Sequence, residues 1–217
     1  MRYVVFDLDG TLVDSLPGIA RGLNCALASL GRPLRSEQEI CGMVGRGARM
    51  LCAEALGSTT PETPEDDVAA LLQAFGREYQ NTWEAGTVPC PGISGMLERF
   101  AALGKRLAVL SNKPHEVTVP LVAHVFPHIP FDFVFGYSDR FPRKPDPASL
   151  LFIASSWCVE PAEVAMVGDS IHDARTARAA GTQLGLVSWG YSGDADFSAE
   201  GFPVFETANA LETWLMN

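Results

Sequence analysis

Short runs of consecutive apolar residues recur along the chain, and each stops at a polar or acidic residue or at glycine. Residues 3–6, 107–110, 133–135, 164–167 and 184–187 carry β-branched, aliphatic or aromatic side chains at every position or nearly so. Strands that bury both faces in a parallel sheet have that pattern. Between the runs, apolar residues fall at helical spacing over 93–103, 116–126, 147–157 and 171–180. Strands alternating with helices predict an α/β fold, a doubly wound and mostly parallel sheet covered on both faces.

One stretch breaks the alternation. From 17 to 84 the pattern holds no buried strand, only helical periodicity. Ile19, Leu23, Ala26, Leu27 and Leu30 form one stripe that Gly31 closes. Ser36 with Glu39 makes a capping box for a second helix. Residues 48–56 and 65–83 supply two more, with loop chemistry over 57–64. A helical block placed directly after the first strand reads as an insertion, so the expected division is a core of 1–16 and 85–217 and a helical subdomain of 17–84.

Composition narrows the partners. The 217 residues carry 16 basic and 26 acidic side chains, for a net charge of −10. Surfaces that coat nucleic acid or anionic membranes need clustered Lys and Arg, so neither partner is expected. The five cysteines form no CxxC pair, which argues against a disulfide framework or zinc ribbon. The first apolar run meets Asp7 too early for a secretory leader, and a cytoplasmic location is expected. An acidic protein that acts on an anion must supply local positive charge from a metal or a well-placed lysine.

In open α/β sheets ligands bind at the carboxyl ends of the strands. The first run ends in Asp7-Leu8-Asp9-Gly10-Thr11 and the second in Ser111-Asn112-Lys113. The fourth ends in Gly168-Asp169-Ser170, followed by Asp173, and Lys144 precedes the helix before it. Several carboxylates so close together require protonation or a cation. Hard oxygen donors with room for water and phosphate suit Mg²⁺, and Lys144 adds a second positive group. Phosphoryl transfer needs a nucleophile, neutralised equatorial oxygens and an acid for the leaving group.

These residues, in this order, resemble the four motifs of the haloacid dehalogenase superfamily, and the resemblance spans residues 7 to 173. It implies a Rossmann-like core whose helical insertion is a cap, and Mg²⁺-dependent hydrolysis of small phosphate monoesters. Asp7 would be nucleophile and metal ligand. Asp9 would be general acid–base and bind metal through its carbonyl. Ser111 and Asn112 would hold the phosphoryl group, Lys144 would neutralise it, and Asp169 would bind metal. Asp173 would position Asp169 or a metal-bound water, and Thr11 would brace the loop.

The second acid, Asp9, favours a phosphatase over a dehalogenase, because an alkyl halide needs no proton on its leaving group. No lysine lies between Asp14 and Glu84, which excludes a phosphonatase with a cap Schiff base. Val44-Gly45-Arg46-Gly47-Ala48, Asp14-Ser15 and Asn112-Lys113-Pro114 resemble the phosphoglycolate phosphatase branch. On that reading the partner is a small phosphorylated metabolite, with Arg46 facing its carboxylate, and the protein is a monomer or weak homodimer. A sugar-phosphate mutase of the same fold, or a non-catalytic binding protein, are the alternative readings.

Overall fold

Val4, Val5 and Phe6 are fully buried in β1 (Tyr3–Phe6), and their side chains alternate between two separate apolar layers. Val4 and Phe6 join one cluster and Val5 the other, which is why the strand has no polar face. The computed structural model describes residues 1–57, 65–192 and 201–217. The expected loop at 57–64 therefore lies, beyond Gly57, outside the described residues.

Six strands form one sheet in the order β5-β4-β1-β6-β7-β8, each pair parallel. They are β1, β4 (Arg106–Pro114), β5 (Phe131–Tyr137), β6 (Val164–Gly168), β7 (Gln183–Val187) and β8 (Val204–Phe205). Five match the apolar runs, and β8 is too short to show in the pattern. On one face pack α5 (Ile93–Ala102), α6 (His115–Val125) and α9 (Ala208–Met216), through residues such as Met96, Leu121 and Leu211. On the other lie α7 (Ala148–Ser156) and α8 (Ile171–Ala180), through Leu150, Ile153 and Ala177. The chain leaves β1 toward β4 and β5, then returns past β1 to β6. That reversal opens a crevice at the carboxyl end of β1.

The segment after β1 is helical. It contains α1 (Leu16–Ser29), α2 (Glu37–Cys41), α3 (Ala48–Ala55) and α4 (Glu65–Tyr79). Leu23, Leu27, Leu51, Leu71 and Phe75 belong to an apolar cluster of these helices. The Ser36–Glu39 capping box forms as its spacing predicts. Helix α4 ends at Tyr79 rather than 83, and the chain turns there, with Thr82 Oγ1 donating to Gly18 O at 3.0 Å. A two-stranded antiparallel pair, β2 (Val13–Asp14) and β3 (Val88–Pro89), joins the strands of chain entering and leaving the helical layer. Beside it Gly18 N donates to Gly86 O at 3.1 Å. A Cβ on Gly86 would stand 2.3 Å from Gly18 Cα, so the two backbones meet where neither residue has a side chain.

Candidate active site

Asp7 follows β1 directly, its N–H donating to Val167 O across the sheet at 2.8 Å. The next residues fold back tightly, with the N–H groups of Thr11, Leu12 and Val13 all donating to Leu8 O. Gly10 (φ +81°) makes the turn possible. A Cβ there would lie 2.6 Å from Asp169 Oδ2, so the position needs glycine on both counts. Thr11 is fully buried and its carbonyl accepts from Trp189 Nε1 at 3.2 Å, which fixes the turn's backbone.

Three carboxylates, Asp7, Asp169 and Asp173, place oxygens within 4.8 Å of one another, all buried. Lys144 Nζ lies between two of them, 2.7 Å from Asp7 Oδ1 and 2.6 Å from Asp173 Oδ1. Burial raises the Asp7 carboxyl well above its ordinary range. Lys144 pulls it down, and Asp173 and Asp169 push it further up. Asp169 is pushed up to about 7, by burial first and then by Asp173. Burial opposes the Lys144 ammonium, yet Asp173 and Asp7 outweigh it and its pKa is raised. One cation among three buried carboxylates leaves an excess of negative charge. The unbalanced charge and the all-oxygen donor set fit a hard divalent ion.

Of its two expected partners, Asp173 does not bond Asp169. Its Oδ1 accepts from Lys144, and its Oδ2 accepts from Ser170 N at 3.0 Å and Ser170 Oγ at 2.5 Å. Both oxygens are engaged, so Asp173 positions Lys144 and caps α8 rather than holding Asp169. Asp169 is held instead by Tyr191, whose N–H donates to Oδ2 at 2.6 Å. The Tyr191 hydroxyl accepts from Ser15 N and Leu16 N and donates to Asp14 Oδ1, tying the start of α1 to the acid cluster. No sequence motif marks Tyr191.

Asp9 faces a second lysine. Lys113 Nζ stands 3.0 and 3.1 Å from its two oxygens, and Ser15 Oγ donates to Oδ1 at 2.5 Å. Burial disfavours the Lys113 ammonium, but Asp9 and Tyr79 outweigh it and raise its pKa. The Tyr79 ring comes from α4, its centroid 4.9 Å from Nζ. Lys113 stood in the motif string without a role, and its partners become visible only in the fold. Its backbone N–H donates to Ser111 Oγ at 3.2 Å, which leaves the Ser111 hydroxyl proton free to donate elsewhere.

Asn112, expected to hold the phosphoryl group, stands beside Ser111 with its side-chain amide engaged within the protein. Nδ2 donates to Gly45 O at 2.9 Å and Lys144 O at 3.1 Å, and Oδ1 accepts from Lys144 N at 2.7 Å. It joins β4, the loop before α3 and the Lys144 loop. A cavity of about 1010 Å³ opens over Asp7, Asp9 and Ser111, and Leu51, Leu72 and Phe75 form part of its helical wall. Gly45 and Gly47 line it, but Arg46 does not. The Arg46 guanidinium turns to Glu54 at 2.6 Å, which removes it from the expected carboxylate-binding position. His115 also lies outside the wall, its Nδ1 accepting from Gly136 N. The five cysteines are free, and burial pushes the Cys52 and Cys90 thiols up to about 12, the wrong direction for a nucleophile.

A buried aspartate at the end of β1, flanked by a lysine and further acids under a helical layer, defines a class that comparison with known proteins makes explicit. The chain belongs to the haloacid dehalogenase-like hydrolase family, whose model matches residues 4–187. Within it the chain is a phosphatase, a phosphoric monoester hydrolase of the phosphoglycolate phosphatase-like group. It is 37% identical over 218 residues to phosphoglycolate phosphatase of Rhodospirillum rubrum, covering 99% of this chain and 90% of that one. It is 34% identical to phosphoglycolate phosphatase 1 of Pseudomonas aeruginosa, over 97% of this chain and 75% of the relative. A crystal structure of a candidate phosphoglycolate phosphatase from Lactobacillus delbrueckii subsp. bulgaricus superposes with a TM-score of 0.91. That pair is 26% identical, with 99% of this chain and 98% of the other covered. Among the described residues no helix is long and apolar enough to cross a membrane.

Proposed function

We propose that the chain hydrolyses small phosphate monoesters through a phosphorylated Asp7, with 2-phosphoglycolate the favoured substrate and residues 17–84 acting as the cap. The observation that carries this reading is the Asp7 carboxylate itself, buried, paired with Lys144 at 2.7 Å and opening on the cavity beside Ser111. An Asp7 oxygen attacks phosphorus, and the bond from phosphorus to the ester oxygen breaks. Asp9 gives a proton to the departing oxygen and is left as the carboxylate that Lys113 Nζ holds at 3.0 and 3.1 Å. Ser111 Oγ–H donates to a phosphoryl oxygen, and Lys144 offsets the charge that Asp7 and the phosphoryl group share. In the second half Asp9 takes a proton from water. That water attacks phosphorus, the bond to Asp7 breaks, and inorganic phosphate leaves.

Asp7 and Asp169, with the carbonyl of Asp9, are the groups that would hold Mg²⁺. When bound it would neutralise the phosphoryl oxygens as a Lewis acid. Phosphate release from 2-phosphoglycolate, with and without Mg²⁺, tests the reading. Asp7→Asn should lower turnover by at least about 10³-fold. Asp9→Asn should cost alkyl phosphates more than p-nitrophenyl phosphate, whose phenolate leaves unassisted, because general acid catalysis contributes roughly 10²–10⁴-fold. An Asp7→Asn protein that keeps a tenth of wild-type turnover would falsify the covalent route. Phosphate passed back to substrate rather than released would favour the mutase alternative.

A further inference from the structure

The cavity wall contains three arginines, Arg49, Arg77 and Arg143. Two belong to the helical layer. Arg49 is neutralised there by Glu65, and Arg77 sits on an exposed stretch of α4. Arg143 stands on the sheet side, and its surroundings are different. Its guanidinium carbon lies 3.5 Å from the centroid of the Tyr137 ring, a contact that fixes the plane of the group. Its Nε is shielded from solvent and has no hydrogen-bond partner. No carboxylate among the described residues pairs with it, whereas Arg46, Arg49, Arg99 and Arg106 are each paired.

The position is close to the reacting centre. The next residue is Lys144, which touches Asp7. A Cβ on Gly47 would stand 2.8 Å from Arg143 Nε and 3.4 Å from Asn112 O, the residue after Ser111. A partly buried guanidinium left without an anion is costly, and native proteins rarely leave one so. A planar guanidinium held in a fixed plane suits a carboxylate, which it binds with two parallel hydrogen bonds. In a protein of net charge −10, a guanidinium on this wall with no acid beside it is free to meet an anion that enters the cavity.

We infer that Arg143 binds a second anionic group of the substrate, a carboxylate two bonds from the ester oxygen, and thereby selects phosphorylated α-hydroxy acids over neutral-tailed esters. The inference rests on the phosphatase reading and adds the residue that reads the tail. Ethyl phosphate is the matched probe, since it carries a methyl group where 2-phosphoglycolate carries its carboxylate. Steady-state kinetics on both esters are compared for wild type, R143Q and R143K, with melting curves for each protein.

In wild type kcat/KM should favour 2-phosphoglycolate. In R143Q that preference should fall by about 10- to 100-fold, through KM, the range for losing a charged hydrogen bond. R143K should fall between, because an ammonium keeps the charge and loses the fork; it also carries the test if R143Q melts early. Equal losses on the two esters would mean that Arg143 acts only through Lys144, and the inference fails. A wild type that hydrolyses both esters without preference also overturns it and leaves the phosphatase reading standing. Hydrolysis of neither ester would overturn the substrate reading as well.

Discussion

Lys113 Nζ sits almost equidistant from the two oxygens of Asp9, at 3.0 and 3.1 Å. The pair is buried, with side-chain exposures of 6% and 11%, so solvent does little to screen it. Removing one partner of a buried pair leaves an uncompensated charge, at a cost of about 3–5 kcal/mol. Lys113→Met should therefore destabilise the fold by about 3 kcal/mol. Adding Asp9→Asn to it should recover most of that loss, because the double variant buries no unpaired charge. Urea denaturation of the four proteins of the cycle measures the coupling. A coupling below about 0.5 kcal/mol, the level of distant sites, would show that the two do not act as a pair.

The Asp169 carboxyl titrates near pH 7 in the fold against 3.8 for the ordinary group, raised by burial and then by Asp173. Between about pH 4 and pH 7 the metal-free native state keeps a proton there that the unfolded chain has released. Stability must then fall as pH rises through that window. Asp169→Asn should flatten this part of the profile and make the metal-free protein more stable than wild type at pH 8. Mg²⁺ should raise the wild-type melting temperature at pH 8 and leave the variant's nearly fixed. Each tenfold excess of free Mg²⁺ over Kd adds about 1.4 kcal/mol. Melting curves at pH 5 and pH 8, with and without Mg²⁺, decide this. Parallel profiles for the two proteins would count against it.

Gly45 and Gly47 both have positive φ, +106° and +89°, but their surroundings differ. A Cβ at Gly45 meets nothing within 4 Å, while one at Gly47 would press on Arg143 Nε at 2.8 Å. Gly45→Ala should cost only backbone strain, about 1 kcal/mol. Gly47→Ala adds displacement of Arg143 beside the active site. Its kcat/KM on 2-phosphoglycolate should fall roughly tenfold or more relative to Gly45→Ala, on the scale of misplaced binding groups. Equal effects at the two positions would show that the contact with Arg143 has no bearing on turnover.

Sequence patterning reads the parts of this protein whose physics is local. Four strands showed as apolar runs because burial on both faces leaves no room for polar residues, the edge strand β5 showed through its Phe-Val-Phe run although only Phe135 of it is buried, and the Ser36–Glu39 cap showed because its geometry lies within four residues. β2, β3 and β8 have two residues each and no pattern to detect. At the site, Asp7, Lys144, Asp169 and Asp173 converge as strand-end placement suggests. The departures concern partners distant in sequence. Tyr191 reaches Ser15 across 176 residues, and Lys113 reaches Asp9 across 104. Arg46 departs from its expected position through a nearer partner. Glu54, eight residues beyond Arg46, claims it, while Arg143 meets the Tyr137 ring and no acid among the described residues.

The backbone contact between Gly18 and Gly86 has a mechanical consequence. The chain crosses between the sheet and the helical layer twice, and both crossings run through nearly the same point. Two separated tethers would resist rotation; two coincident ones act as a single pivot pin. Other joints share the load, since Asn112 Nδ2 holds Gly45 O and Lys113 meets the Tyr79 ring, but none of them is covalent. A side chain at either glycine would wedge the pin and set the angle at which the whole layer rests.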